Sequence, residues 1–274
     1  MLHLLLTGVS SGIGRTTAHH LLQAGHIVYG SARKASDFGD LTAHPNFRGL
    51  VFDVTDRAAV RSAIGKVERL DAVINNAGVA ITGPLETLSE EQYRLQFEVN
   101  VFGLIAVTQA ALPLLHAARE AGRTNVKIIN VSSVSGYLSS PFTGIYSGSK
   151  FAVEAITDAW RRELDRFGID VISVAPGPVQ TPIWDKGKVQ TSAYEGTKYA
   201  GVLDGMAAYS ERANAGGLPP ERIAEVIGKA LTDERPRPDQ LVMKKGWMAK
   251  VLRRLPKRMQ DRIILRNLLV GKRY

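Results

Sequence analysis

Cysteine is absent from the 274 residues, which excludes disulfides, thiolate nucleophiles and cysteine-ligated metals. Six histidines (His3, His19, His20, His26, His44 and His116) are scattered without metal-ligand spacing, so no metal site is expected. Aromatic residues make up 7% of the chain and do not interleave with basic clusters, so nucleic acid is not an expected partner. There is no internal repeat and no low-complexity linker. No apolar leader precedes the first strand-like run at Leu2–Leu6, which favours a cytoplasmic location. Acidic side chains are scarce in one region only. Residues 244–274 hold eleven Lys/Arg and one acid, Asp261, against 24 basic and 25 acidic residues elsewhere. The formal net charge of +9 is therefore a property of the C-terminal tail.

What is present is a 45% hydrophobic chain whose apolar runs alternate with helical patterns. The runs lie near Leu2–Leu6, Ile27–Tyr29, Gly49–Phe52, Ala72–Ile74, Lys127–Val131, Asp170–Val174 and Leu241–Met243. Such alternation predicts a single α/β domain, a Rossmann-type doubly wound parallel sheet of about seven strands with helices on both faces. The first run leads directly into Thr7-Gly8-Val9-Ser10-Ser11-Gly12-Ile13-Gly14 and then a helical stretch closed by Gly25. Strand, glycine turn and helix in that order let backbone approach a pyrophosphate, which the helix N-terminus binds through its unpaired N–H groups. Further along, Tyr146-Ser-Gly-Ser-Lys150 places a phenol and an ammonium one helical turn apart. A nearby ammonium favours tyrosinate and brings a weak acid toward the working pH range. Ser133, thirteen residues before Tyr146 at the end of an apolar strand, is placed to hydrogen-bond a carbonyl or alcohol.

Thr7–Gly14 resembles the glycine turn of the short-chain dehydrogenase/reductases. The resemblance continues through Asn75-Asn76-Ala77-Gly78, Asn100, Ser133, Tyr146/Lys150 and Pro176-Gly177 with Thr181, over roughly residues 1–182. It implies a tetrad of Asn100, Ser133, Tyr146 and Lys150. Tyr146 is then the general acid/base, Ser133 orients the reacting oxygen, and Lys150 lowers the Tyr146 pKa and holds ribose hydroxyls. Asn100 is implied to support a water chain to Lys150 at a local irregularity in its helix. The same resemblance assigns cofactor contacts to Gly8, Ser10, Ser11, Gly12, Ile13, Gly14, Asp53, Val54, Asn76, Ala77, Gly78, Asn100, Pro176, Gly177, Val179 and Thr181, besides Tyr146 and Lys150. Asn76 is read as mainly structural, its amide bonding neighbouring strand backbone.

An NAD-preferring site carries an acid at the end of the second strand. That position is Ala32 here, followed by Arg33 and Lys34. Cationic donors suit a 2′-phosphate, so NADP(H) is expected over NAD(H), with Arg33 the main ligand and Ser31 a hydroxyl donor. Asp37 is judged too far into the next loop to take part.

The expected organisation is a catalytic domain over residues 1–246, with a substrate lid at about 182–220, and a basic amphipathic helical extension over 247–274. Tyr137, Phe142 and Trp184, with Ser133 and Tyr146, are the expected substrate-binding residues. Their apolar character points to a ketone or aldehyde and its alcohol, as in hydroxysteroid-dehydrogenase-type or carbonyl-reductase-type members. A catalytically silent NADPH-binding sensor or scaffold is the alternative. The charge-free stretch Val99–Ala118 is read as a buried or subunit-contacting helix. By resemblance a homodimer or homotetramer is expected, pairing Gln92–Ala121 and Ser147–Phe167. The tail's apolar stripes and positive charge leave two readings open, packing on the domain or its partner subunit, or peripheral contact with the cytoplasmic face of a membrane.

Overall fold

A computed structural model describes residues 1–181, 196–199 and 214–268. Seven parallel strands form one sheet in the order β3-β2-β1-β4-β5-β6-β7. They are β1 (His3–Thr7), β2 (Ile27–Ala32), β3 (Phe47–Val51), β4 (Ala72–Asn75), β5 (Lys127–Val131), β6 (Asp170–Pro176) and β7 (Asp239–Val242). The apolar runs are nearly continuous because helices cover both faces of a parallel sheet. On one face, α1 (Gly12–Gln23) and α6 (Pro220–Thr232) bury Ala18, Leu21, Ile223 and Ile227 against Leu4 and Leu6. On the other, α2 (Arg57–Ile64), α4 (Leu104–Glu120) and α5 (Gly144–Leu164) bury Val60, Val107, Leu115 and Leu164 against Leu5 and Val73.

The expected elements are present with shifted ends. The third strand begins two residues early because Phe47 pairs with Val28 and its ring meets Phe38 edge-on at 5.5 Å. The helix expected to run to Phe167 ends at Leu164, where one tighter turn, Asp165–Phe167, leads into Gly168 at φ 68°. Lys127 is fully buried although it opens a strand. Its Nζ donates to the carbonyls of Ala230, at 3.0 Å, and Asp233, so it closes the C-terminal end of α6. Burial lowers its pKa.

The long apolar stretch is α3 (Glu90–Phe97), a widened π-type turn at Glu98–Gly103, and α4. Glu90–Glu120 has a mean hydropathy of 1.7 over its most apolar window, enough by length and composition to cross a membrane. Val107, Ala111 and Leu115 are nevertheless fully buried in the domain core, as for a core helix.

After β7 the chain forms α7 (Gly246–Arg254) and α8 (Lys257–Leu268). Pro256 separates them, since proline cannot continue a helix from within. Gln260 locks the corner: its amide donates to the carbonyls of Leu255, at 2.7 Å, and Arg253, at 3.3 Å.

Candidate active site

The strand order reverses between β1 and β4, and in such sheets the crevice beyond the strands' C-terminal ends is where ligands bind. A cavity of about 260 Å³ opens there. It is lined by residues at or just beyond the C-terminal ends of β1 to β6: Gly8 and Ser10–Gly14, Ser31 and Arg33, Asp53 and Val54, Asn76–Gly78, Ser133, and Pro176, Gly177, Val179 and Thr181. Tyr146 and Lys150 reach it from α5. Nearly every residue assigned to the cofactor from sequence is therefore brought to one wall.

The floor of this cavity is glycine by necessity. Gly8 has φ +75°, and a Cβ on Gly14 would lie 2.1 Å from the Gly8 carbonyl oxygen and 2.4 Å from Asn76 Nδ2. Asn76 is the reason for that closeness. Its amide donates to the carbonyls of Thr7 at 2.9 Å and Gly8 at 3.2 Å, while the Thr7 hydroxyl accepts from the N–H groups of Asn76 and Ala77. Asn76 thus stitches the first and fourth strand ends together, in the structural role read from sequence. Ser11 precedes α1 without capping it by its side chain, so first-turn N–H groups beside Gly12 and Ile13 are left for an anion. The cradle fits a dinucleotide: backbone close enough for a pyrophosphate, a helix N-terminus behind it, and Asp53 and Val54 at the far end.

Two placements differ from the sequence reading. Asp37 also lines the cavity, as Arg33 does. The turn of tight helix Ala35–Ala43 folds back, held where Arg15 donates to the Asp37 carbonyl at 3.3 Å and pairs with Asp40. Asn100 does not line the cavity. It is buried behind the wall, its Oδ1 accepting from the Val79 N–H at 2.9 Å and its Nδ2 donating to the Val79 carbonyl at 3.0 Å. It sits in the widened turn Glu98–Gly103, the helix irregularity expected for it.

Tyr146, Ser133 and Lys150 are all buried. Burial pushes the Tyr146 hydroxyl above its usual range, and the Ser133 hydroxyl acts to lower it. Lys150 donates to the Val131 carbonyl at 2.9 Å, and its Nζ lies 5.9 Å from the centre of the Tyr146 ring. Burial brings Lys150 down to about 8, opposed by the charge of Glu154. The lowering of Tyr146 expected from Lys150 is not what this protein alone shows; here desolvation dominates both groups.

Three residues went unnoticed in sequence. Ser149 accepts from Asn100 at 3.1 Å and from Gln96 at 3.3 Å and donates to the Tyr146 carbonyl at 2.7 Å, tying α5 to α3 and the widened turn that follows it. Gln96 holds that loop at Ile81 and Val79. Glu154, one turn beyond Lys150, accepts from Ser173 at 2.7 Å. The i, i+4 spacing of Lys150 and Glu154 was the available signal. Of the expected substrate residues, Tyr137 turns its hydroxyl to Asp239, at 2.8 Å. Phe142 takes φ 64°, a strained value for a bulky side chain, and its ring meets Tyr199 edge-on at 6.1 Å. Trp184 lies outside the described residues.

Fold and site together define a nicotinamide-nucleotide oxidoreductase acting on C=O and CH–OH groups. The short chain dehydrogenase model matches residues 2–192, and the chain belongs to the short-chain dehydrogenase/reductase family. It is 39% identical over 277 residues to an NADPH-dependent 3-dehydrocapnine reductase of Ornithobacterium rhinotracheale, covering 98% of each chain. With a 3-ketodihydrosphingosine reductase of Bacteroides thetaiotaomicron it shares 36% identity over 238 residues, 85% of this chain and 84% of that one. Among solved structures, a short-chain dehydrogenase from Streptomyces avermitilis superposes with a TM-score of 0.77 at 26% identity, covering 100% of this chain and 98% of that one.

Proposed function

We propose that the protein is an NADPH-dependent reductase of an apolar ketone or aldehyde, reversible as an alcohol dehydrogenase. The observation that carries this reading is the burial of Tyr146, Ser133 and Lys150 together at the wall of the dinucleotide cavity. The glycine cradle would hold the pyrophosphate, Arg33 and Ser31 a 2′-phosphate, Lys150 the nicotinamide ribose, and Thr181 the carboxamide. When bound, the nicotinamide supplies or accepts hydride. Ser133 donates a hydrogen bond to the substrate oxygen, and Tyr146 gives that oxygen its phenolic proton in reduction or removes it in oxidation. A raised Tyr146 pKa keeps the phenol protonated at neutral pH, which suits the acid role. Two relatives named as reductases, one of them NADPH-dependent, support the direction and the cofactor.

The catalytic domain is proposed to span residues 1–246 and to be followed by the helical extension at 247–274. The proposed lid at 182–220 falls largely outside the described residues. A homodimer or homotetramer through α4 and α5 is proposed as well. Phe102, 45% exposed, and Phe151, 43% exposed, would be covered in it.

Titration with NADPH and NADH, followed by turnover of apolar ketones, tests the reading. Arg33 lines the cavity and makes no ion pair among the described residues. Arg33→Ala is expected to weaken NADPH about tenfold to a hundredfold, the usual weight of a charged hydrogen bond, and to leave NADH nearly unchanged. Equal losses for both nucleotides would place Arg33 outside the 2′-phosphate site.

The pH profile of reductase kcat/KM for NADPH tests the buried pair. Reduction needs Tyr146 protonated and Lys150 cationic, and both forms prevail at low pH. The profile is therefore expected to be flat in acid and to fall as pH rises through about 8, where Lys150 loses its proton. Glu154 raises the Lys150 pKa, so Glu154→Gln should move that limb to lower pH. A limb that stays in place would remove Glu154 from the electrostatics of the site.

A further inference from the structure

We propose that α7 and α8 form a preformed docking surface for an anionic lipid bilayer, placed at the rim of the active site. The substrate part of this inference, a carbonyl compound taken from the bilayer, rests on the reductase reading above; the docking surface does not.

The location follows from topology. Strand β7 is parallel to β6, so its C-terminal end emerges at the edge of the sheet that carries the cavity. The Gly177 N–H, on the cavity wall, donates to the Val242 carbonyl at 2.9 Å. Four residues later α7 begins. A second tie leads to the loop after Ser133. The guanidinium of Arg253, in α7, lies 5.2 Å from the centre of the Tyr137 ring, and the Tyr137 hydroxyl bonds Asp239 at the start of β7.

The chemistry of the surface is that of an interfacial helix. No residue of α7 is buried. Trp247 is 67% exposed, Met248 51% and Val251 47%, while in α8 Met259, Ile263 and Leu265 are left open as well. The same stretch carries Lys244, Lys245, Lys250, Arg253, Arg254, Lys257, Arg258, Arg262 and Arg266, with Asp261 the one acid. Apolar side chains enter the acyl boundary while basic ones meet anionic headgroups. A polyanion such as nucleic acid would pair with the charges but leave Met248, Val251, Met259 and Ile263 in water. A second copy docked on the same face would set like charge against like, which disfavours pairing. The Gln260 hydrogen bonds hold the helices at a fixed angle before anything binds, so little ordering is left to accompany binding.

The test is flotation of the full chain with phosphatidylcholine vesicles and with phosphatidylcholine vesicles containing phosphatidylglycerol. The protein is expected to float with the anionic vesicles, to stay behind with the neutral ones, and to be released by high salt. Replacing Lys250, Lys257 and Arg258 together by Gln should lower partition at least about tenfold, as should Trp247→Ser combined with Val251→Ser. Both variants are expected to keep NADPH-dependent turnover of a small water-soluble ketone and to lose turnover of a long-chain ketone dissolved in the vesicles. Failure to float, or equal flotation with neutral vesicles, overturns the surface. So does a wild-type dimer that Trp247→Ser converts to monomer, or tight binding of an oligonucleotide in place of vesicles. Flotation without turnover of either ketone leaves the surface standing and removes the reductase reading instead.

Discussion

Tyr146→Phe is expected to abolish nearly all reductase turnover while NADPH still binds. The phenol reaches the cavity from α5 with its ring packed in the domain, and phenylalanine keeps that ring and loses only the hydroxyl. A general acid in the transition state is worth roughly a hundredfold to ten-thousandfold in rate, so kcat should fall by that amount. Stability should change by no more than about 1 kcal/mol, the usual net weight of one hydrogen bond. Stopped-flow NADPH binding and a melting curve separate the two effects. Retained turnover would mean that another group gives the proton, and lost NADPH binding would mean that the hydroxyl serves the cofactor instead.

Gly14→Ala is expected to act on a different link of the chain, between packing and cofactor. The added methyl group would be forced against the Gly8 carbonyl and the Asn76 amide, the atoms that join the first and fourth strand ends. The carbonyl is backbone, and the amide is held by hydrogen bonds to the Thr7 and Gly8 carbonyls, so backbone has to move. Overpacking of this kind typically costs about 1–3 kcal/mol, and here it also displaces the pyrophosphate cradle. The expected result is a lower melting temperature and no measurable NADPH binding. Gly25→Ala is the control. Gly25 ends α1 at φ +80° with nothing within 4 Å of an added Cβ, so only a left-handed backbone penalty of about 1 kcal/mol is expected, with NADPH affinity unchanged. If Gly14→Ala bound NADPH as the parent does, the cradle would not be where the pyrophosphate sits.

Much of this site is legible in the sequence because its parts are local. The glycine turn, Ser133, Tyr146 and Lys150 each lie at the junction of a strand or helix that hydrophobic periodicity marks. Their convergence follows once the sheet is parallel, since all strand ends then share an edge. What was not legible depended on tertiary placement. Asp37 reaches the cavity because Arg15, far from it in sequence, pins its loop. Gln96 and Ser149 are ordinary polar residues until folding sets them against Val79 and Asn100. The balance of charge on Tyr146 and Lys150 is also tertiary. Spacing predicted mutual attraction, but full burial penalises the charged form of each and sets the direction of both shifts.

The widened turn at Glu98–Gly103 lets one continuous helix keep two phases. Gln96 and Asn100 must point to the Val79 loop, while Leu104, Val107, Ala111 and Leu115 must follow the core. A regular helix advances about 100° per residue, so the single extra residue acts as a gear offset between the two stripes. Deleting one residue from Val101–Gly103 would make the helix more regular and yet turn Gln96 and Asn100 together away from Val79 by roughly that angle. In this segment chain length is thus as tightly constrained as residue identity: a substitution can be absorbed locally, whereas a one-residue gap would uncouple the loop beside the cavity from the helix that supports it.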